Sequence, residues 1–166
     1  PTTASPTTKP SSPEPTSGPT AVVSSFEAYV SNSDVSGDGR WQTGVNYNAF
    51  VIESGSTVSG GTGFDTGPAA AYDGSYYAYC ETSAPNVPGG EFDLQTEEFS
   101  TPISSISFSY LQYGYCNDGA NDPHCDSTST LGTMYVQGSS DASSWSTLWS
   151  KGGNLGQVWF SASVSV

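Results

Sequence analysis

TGPAAAYDGSYYAYCETS, residues 66–83, decides how the rest of the chain is read. Thr66-Gly67-Pro68 and Asp73-Gly74-Ser75 are turn sequences, and the second leads into the densest aromatic run of the chain. In an extended backbone successive side chains alternate. Tyr76, Ala78 and Cys80 then share one face, and Tyr77, Tyr79 and Glu81 share the other. Ala78 and Cys80 make the first face the more apolar. Aromatic residues on both faces predict a central strand covered on each side.

On the N-terminal side of this stretch, AVVSSFEAYV (21–30) predicts a first strand, with Val23, Ser25 and Glu27 on one face and Phe26, Ala28 and Val30 on the other. SNSDVSGDGR reads as a loop, and WQTGVNYNAFVIES (41–54) as one or two short strands. GSTVSGGTGFDTGP (55–68) is a Gly-rich connection. On the C-terminal side, APNVPGG is a turn and EFDLQTEEF (91–99) a strand carrying Phe92 and Leu94. In TPISSISFSYLQYGY, Ile106, Phe108 and Tyr110 fall on one face of the next strand. STLGTMYVQGS, SSWSTLWSKGG and GQVWFSASVSV supply the last three. Short strands bounded by Gly, Ser, Asp and Pro predict an all-β sandwich.

Composition agrees and narrows the function classes. Ser, Thr, Gly, Tyr and Asn are abundant and Leu and Met scarce, which favours strands and turns over helices. Three Lys and Arg stand against sixteen Asp and Glu, a net charge of −13 that repels nucleic acid and anionic membranes and attracts cations. No apolar run is long enough to span a bilayer. Residues 1–20, PTTASPTTKPSSPEPTSGPT, carry no apolar periodicity and read as a disordered or extended, O-glycosylated spacer of an extracellular protein. The folded body is expected over residues 21–166. Of the three cysteines, Cys116 and Cys125 bracket the loop CNDGANDPHC and are expected to bond to each other. Cys80 is left over, as a buried thiol or as half of a bridge to a partner outside this sequence.

Phe26-Glu27, GRWQT (39–43), GTGFDTGP (61–68), YYAYCETSAP (76–85), ISFSYLQYG (106–114), LGTMYV (131–136) and LWSKGGNLGQVWFSASVSV (148–166) resemble, in order and spacing, the MAM domain of meprins, neuropilins and receptor tyrosine phosphatases. The resemblance covers roughly residues 26–166. It implies a two-sheet antiparallel jelly roll, extracellular, with roles in adhesion and oligomerisation. The chain departs from the family after Gln42, where Asn46, Tyr47, Asn48 and Phe50 replace an Asp-rich segment, and around Ala71-Tyr72-Asp73, where the family carries Asp-His-Thr. The resemblance also implies about two further strands beyond Val166, so residues 21–166 are expected to be a C-terminally incomplete domain.

Calcium is the first candidate ligand, as a structural cation. Asp34-Val35-Ser36-Gly37-Asp38-Gly39 offers oxygens on a sharp turn, but lacks the twelfth-position Glu of an EF-hand. Glu27 stands where the family carries its first-strand acid, so the resemblance adds it to a set of Glu27, Asp34, Asp38 and Asp73. The competing reading is a solvated acidic loop. Asn117, Asp118, Asn121, Asp122 and Asp126 form a second acidic cluster, more simply an exposed tip.

Catalytic readings are weaker. Asp65-Thr66-Gly67 resembles half of an aspartic-protease pair, which needs two such carboxylates. His124 has no nucleophile and orienting group in its loop. Glu97 and Glu98 are strand neighbours and point apart. Trp41, Trp145, Trp149 and Trp159 could stack on sugars, though periodicity places most of them near the core. Tyr113 and Tyr115 are the expected exposed ligand-binding aromatics. The sequence therefore predicts a non-catalytic adhesion or interaction module that binds a protein partner or itself. The alternative is a carbohydrate-binding module tethered to a secreted hydrolase.

Overall fold

The computed structural model describes residues 25–29, 35, 40–43, 48–57, 67–82, 86, 89–114 and 131–166. These residues form eight β-strands and no α-helix. All the strands pair antiparallel, in four two-stranded sheets. β1 (Trp41–Gln42) pairs with β4 (Gln95–Thr96). β2 (Val51–Ser54) pairs with β3 (Tyr76–Tyr79), with Glu53 opposite Tyr77 and Ile52 opposite Ala78. β5 (Ser105–Tyr110) pairs with β8 (Phe160–Ser165), and β6 (Thr133–Gly138) with β7 (Ser146–Gly152). No helix among the described residues is long and apolar enough to cross a membrane.

The expectation for the aromatic run is met in burial. One face of β2–β3 carries Ile52, fully buried, which packs with Tyr29 and Val35; Phe26, Trp41, Phe50, Tyr76, Ala78 and Leu94 close around them. On the other face Tyr77 is 5% exposed and meets the Trp159 ring edge-on at 6.1 Å. β3 is thus covered on both sides, but among the described residues its only strand partner is β2.

The sheet of β5 and β8 follows from strict alternation. SISFSY and FSASVS pair so that Ile106 faces Val164, Phe108 faces Ala162 and Tyr110 faces Phe160. Ser105, Ser107, Ser109, Ser161, Ser163 and Ser165 take the opposite face, and two pairs bond through their hydroxyls, Ser107–Ser163 at 3.0 Å and Ser109–Ser161 at 3.3 Å. Trp149 of β7 covers the apolar face, with ring contacts to Phe108 at 5.1 Å and Tyr110 at 5.0 Å. Edge-to-face pairs of this kind add stability beyond area burial, about 0.5–1.5 kcal/mol each.

Two expected strands are corrected. Within 21–30 the described residues 25–29 bend instead of extending. Phe26 has φ +58°, and the Tyr29 amide donates to the Phe26 carbonyl at 3.1 Å. The bend lets Phe26 reach Tyr29 and Trp41 while Glu27 reaches the turn before β3. EFDLQTEEF pairs as a strand only at Gln95–Thr96, opposite the two residues of β1, with an isolated bridge at Phe92. Its Phe92 turns toward Phe50, 6.5 Å away, beside a parallel bridge to Asn48.

Candidate functional site

Glu27 is the one acidic candidate whose role is visible in full. Its Oε1 accepts the backbone amides of Ser75 at 2.7 Å and Tyr76 at 2.9 Å. Between them and Asp73 lies Gly74 at φ +69°, where a side chain would meet the Glu27 carboxylate. Glycine is needed there twice over, for the left-handed backbone and for the approach of Glu27. Glu27 therefore ties the bend at 25–29 to the start of β3. The structure brings Glu27 and the Asp73 turn together, whereas Asp34 and Asp38 lie outside the described residues. Among the described residues no three His, Cys, Asp or Glu side chains gather as a metal site. For a cation, Glu27 offers Oε2, its Oε1 being held by two amides.

Tyr113 is half-buried, and its carbonyl accepts the Gly67 amide at 3.3 Å. It belongs to a junction where side-chain amides brace neighbouring loops. Gln112 Nε2 donates to the carbonyls of Leu131 and Gly132, Asn154 Nδ2 to that of Gly114, and Gln157 Nε2 to that of Gly67. The loop that leaves this junction, with Tyr115, Cys116, Cys125, His124 and its Asn and Asp cluster, lies outside the described residues, as do Asp65 and the tract 1–20.

Trp159 joins the two halves of the chain. Its Nε1 donates to the Ala70 carbonyl at 3.0 Å, and its ring contacts Tyr72 and Tyr77 at 6.1 Å each. Burial, then the nearby Glu53 and Tyr79, pushes the Tyr77 hydroxyl up to about 12. Burial and the charges of Glu53 and Glu81 raise Tyr79 as well. Glu53 is itself buried in β2; its Oε1 accepts the Ser54 amide at 2.8 Å and its Oε2 has no hydrogen-bond partner. Cys80 is a free thiol, which burial pushes up to about 11. A thiol so disfavoured as thiolate is a poor nucleophile and packs as a small hydrophobe.

One surface feature escaped the sequence reading, and one of its candidates, Trp145, is found exposed beside it. In the β6–β7 turn, Asp141 Oδ1 accepts the Ser143 amide at 2.9 Å, the Ser144 amide at 2.7 Å and the Ser139 hydroxyl at 2.9 Å. Those bonds hold its carboxyl well below the usual carboxylate range. The signal was present as an Asp inside SSDASS, a turn-capping composition. Beside that turn, Tyr135 in β6 is 58% exposed and Trp145, just before β7, is 44% exposed. A register shift between Val136 and Gln137 turns Leu148 and Trp149 inward together, so Trp145 no longer shares the face of Trp149.

No protein family, curated protein or solved structure matches this chain.

Proposed function

We propose that this chain is a non-catalytic, extracellular interaction module. Residues 21–166 form its β-structured body, a two-sheet jelly-roll sandwich of the MAM kind, and residues 1–20 an O-glycosylated spacer. One observation carries the reading: large apolar side chains are displayed outward on the β6–β7 hairpin and on loops, in a body whose loops are tied down by polar side chains. Tyr72, Tyr135, Trp145 and Val158 are exposed, while Glu27, Gln112, Asp141 and Asn154 bond backbone groups of their own fold. Exposed apolar surface on a braced scaffold is the ordinary basis of protein association.

The charge balance shapes that association. Two copies with a net charge of −13 each repel at low salt, so contact between copies is favoured by screening salt or by divalent cations. Calcium is proposed in that role, and as a structural cation near Glu27. Bead-clustering and sedimentation-velocity measurements test the function directly. Beads coated with the protein are expected to cluster, and the sedimentation coefficient to rise with concentration, more strongly at high salt or with calcium. A sedimentation coefficient flat from micromolar to millimolar, together with dispersed beads in every buffer, overturns the reading.

A further inference from the structure

Resting on the interaction-module reading, we propose that the outward face of the β6–β7 hairpin binds a neutral polysaccharide. The face is set by register. Tyr135 pairs with Ser150 and Gln137 with Thr147, and Thr133 lies in step with them; all five are exposed. Trp145, two residues before Thr147, stands in the same phase beyond the strand end. Tyr135 lies two residues to one side of the Gln137–Thr147 pair and Trp145 two residues to the other. At about 3.3 Å per residue their backbones are separated by roughly 13 Å along the hairpin. That span exceeds one sugar ring and suits an extended chain of several.

The chemistry of the face selects the ligand. The C–H faces of a pyranose are weakly positive and apolar, and they stack on the electron-rich faces of Tyr and Trp rings. Between the two aromatics, Gln137 and Thr147 supply an amide and a hydroxyl, joined by a long bond of 3.5 Å that a ligand hydroxyl readily replaces. None of Thr133, Tyr135, Gln137, Trp145, Thr147 and Ser150 is charged, although the chain carries a net −13. Asp141 lies on the turn beyond the strands, its Oδ1 taken up by Ser139, Ser143 and Ser144, and Lys151 pairs with Met134 on the opposite phase. An anionic ligand is repelled by the surrounding charge and finds no cation on this face; a cationic one finds no carboxylate there. A neutral, hydroxylated chain meets both kinds of contact the face offers. The hairpin is also held before any ligand arrives, at one end by the Asp141 turn and at the other by Gln112, which bonds the carbonyls of Leu131 and Gly132. Such preorganisation lowers the cost of binding.

Affinity electrophoresis in native gels containing hydroxyethyl cellulose, xyloglucan, mixed-linkage β-glucan or galactomannan tests the proposal, with alginate as the anionic comparator. The full chain is expected to be retarded by at least one neutral polymer, equally at low and high salt, and not by alginate. Y135A and W145A are each expected to weaken binding about tenfold, the size of an ordinary hot-spot truncation. V166A, at an exposed residue outside the hairpin, is expected to bind as the parent does. Circular dichroism checks that each variant keeps the parent fold. Absence of retardation in all four neutral polymers overturns the proposal, as does retardation unchanged in a folded Y135A/W145A variant or retardation by alginate alone. Bead clustering, run on the same samples, decides the interaction-module reading separately: clustering without retardation leaves that reading standing and removes this one.

Discussion

Glu27 offers the sharpest test, because two roles for it predict different orders among the same variants. In the structure its Oε1 alone accepts both the Ser75 and Tyr76 amides. Glu27→Gln keeps an oxygen at that place and loses the negative charge; Glu27→Ala loses both bonds. Hydrogen bonds to a charged group contribute about 1.5–3 kcal/mol and those to a neutral one about 0.5–1.5. This site is solvent-accessible, so the lower ends apply. Glu27→Ala is then expected to cost roughly 3 kcal/mol and Glu27→Gln, which keeps two weaker neutral bonds, roughly 2 kcal/mol. For a body of this size those values correspond to losses in Tm of about 10 °C and about 6–7 °C. Gly74→Ala is expected to fall with Glu27→Ala, since it combines a left-handed backbone with a collision against the same carboxylate. The assay is thermal unfolding followed by circular dichroism, repeated with calcium and with a chelator. If Glu27→Gln falls as far as Glu27→Ala in chelator, the hydrogen-bond account is refuted; a calcium-dependent rise in Tm that both variants erase is the result expected for a cation held by the same carboxylate.

Trp159→Phe is expected to lose the bond to the Ala70 carbonyl but keep the ring contacts, lowering stability by about 1 kcal/mol; Trp159→Ala is expected to lower it by about 3–5 kcal/mol. Spectrophotometric titration should find one tyrosine ionising near pH 12, absent in Tyr77→Phe and shifted down in Glu53→Gln. Because the folded pKa of Tyr77 lies above its ordinary value, the folded state holds that proton longer than the unfolded one. Its stabilising contribution is complete below about pH 10 and disappears as pH rises through about 12. Asp141 works in the opposite sense. Its folded pKa is depressed, so its contribution is present above the ordinary carboxylate range and lost as pH falls through the depressed value. Asp141→Ala should therefore lower Tm at neutral pH and flatten the acid limb of the stability curve.

The sequence was most legible where alternation was unbroken. SISFSY and FSASVS could be assigned to faces residue by residue, and the pairing of Ser with Ser and apolar with apolar follows that assignment. The aromatic run 76–79 was legible in the same way, since an aromatic on each face demands cover on each face. Legibility failed where a tertiary contact overrode local pattern. Phe26 and Glu27 alternate as a strand would, yet a bend at Phe26 sends one ring to the core and one carboxylate to the β3 turn, and nothing local encodes those partners. SSWSTLWSKGG reads by a period of two as placing Trp145 and Trp149 together. One extra residue opposite the Val136–Gln137 step separates them, inward and outward. The acidic candidates had a further difficulty: a carboxylate that caps a turn and one that holds a cation use the same residue types at the same spacings.

The bulge also joins the fold to the proposed site. The β6–β7 sheet commits one face to the body and leaves the other in water. Trp149 makes that commitment through Phe108 and Tyr110. With regular pairing, anchoring Trp149 would draw Thr147 and Trp145 to the same buried side, and the outward face would keep Tyr135 as its sole aromatic. The shifted register lets Leu148 and Trp149 both face inward and releases Thr147 and Trp145 outward, in phase with Gln137 and Tyr135. Inserting one residue between Val136 and Gln137, opposite Leu148, should restore regular pairing and bring Trp145 into phase with Trp149. In that variant either Trp145 becomes shielded from acrylamide quenching of its fluorescence or Trp149 becomes exposed to it. An insertion variant that folds and leaves both indoles quenched as in the parent would show that the bulge does not determine which tryptophan faces the solvent.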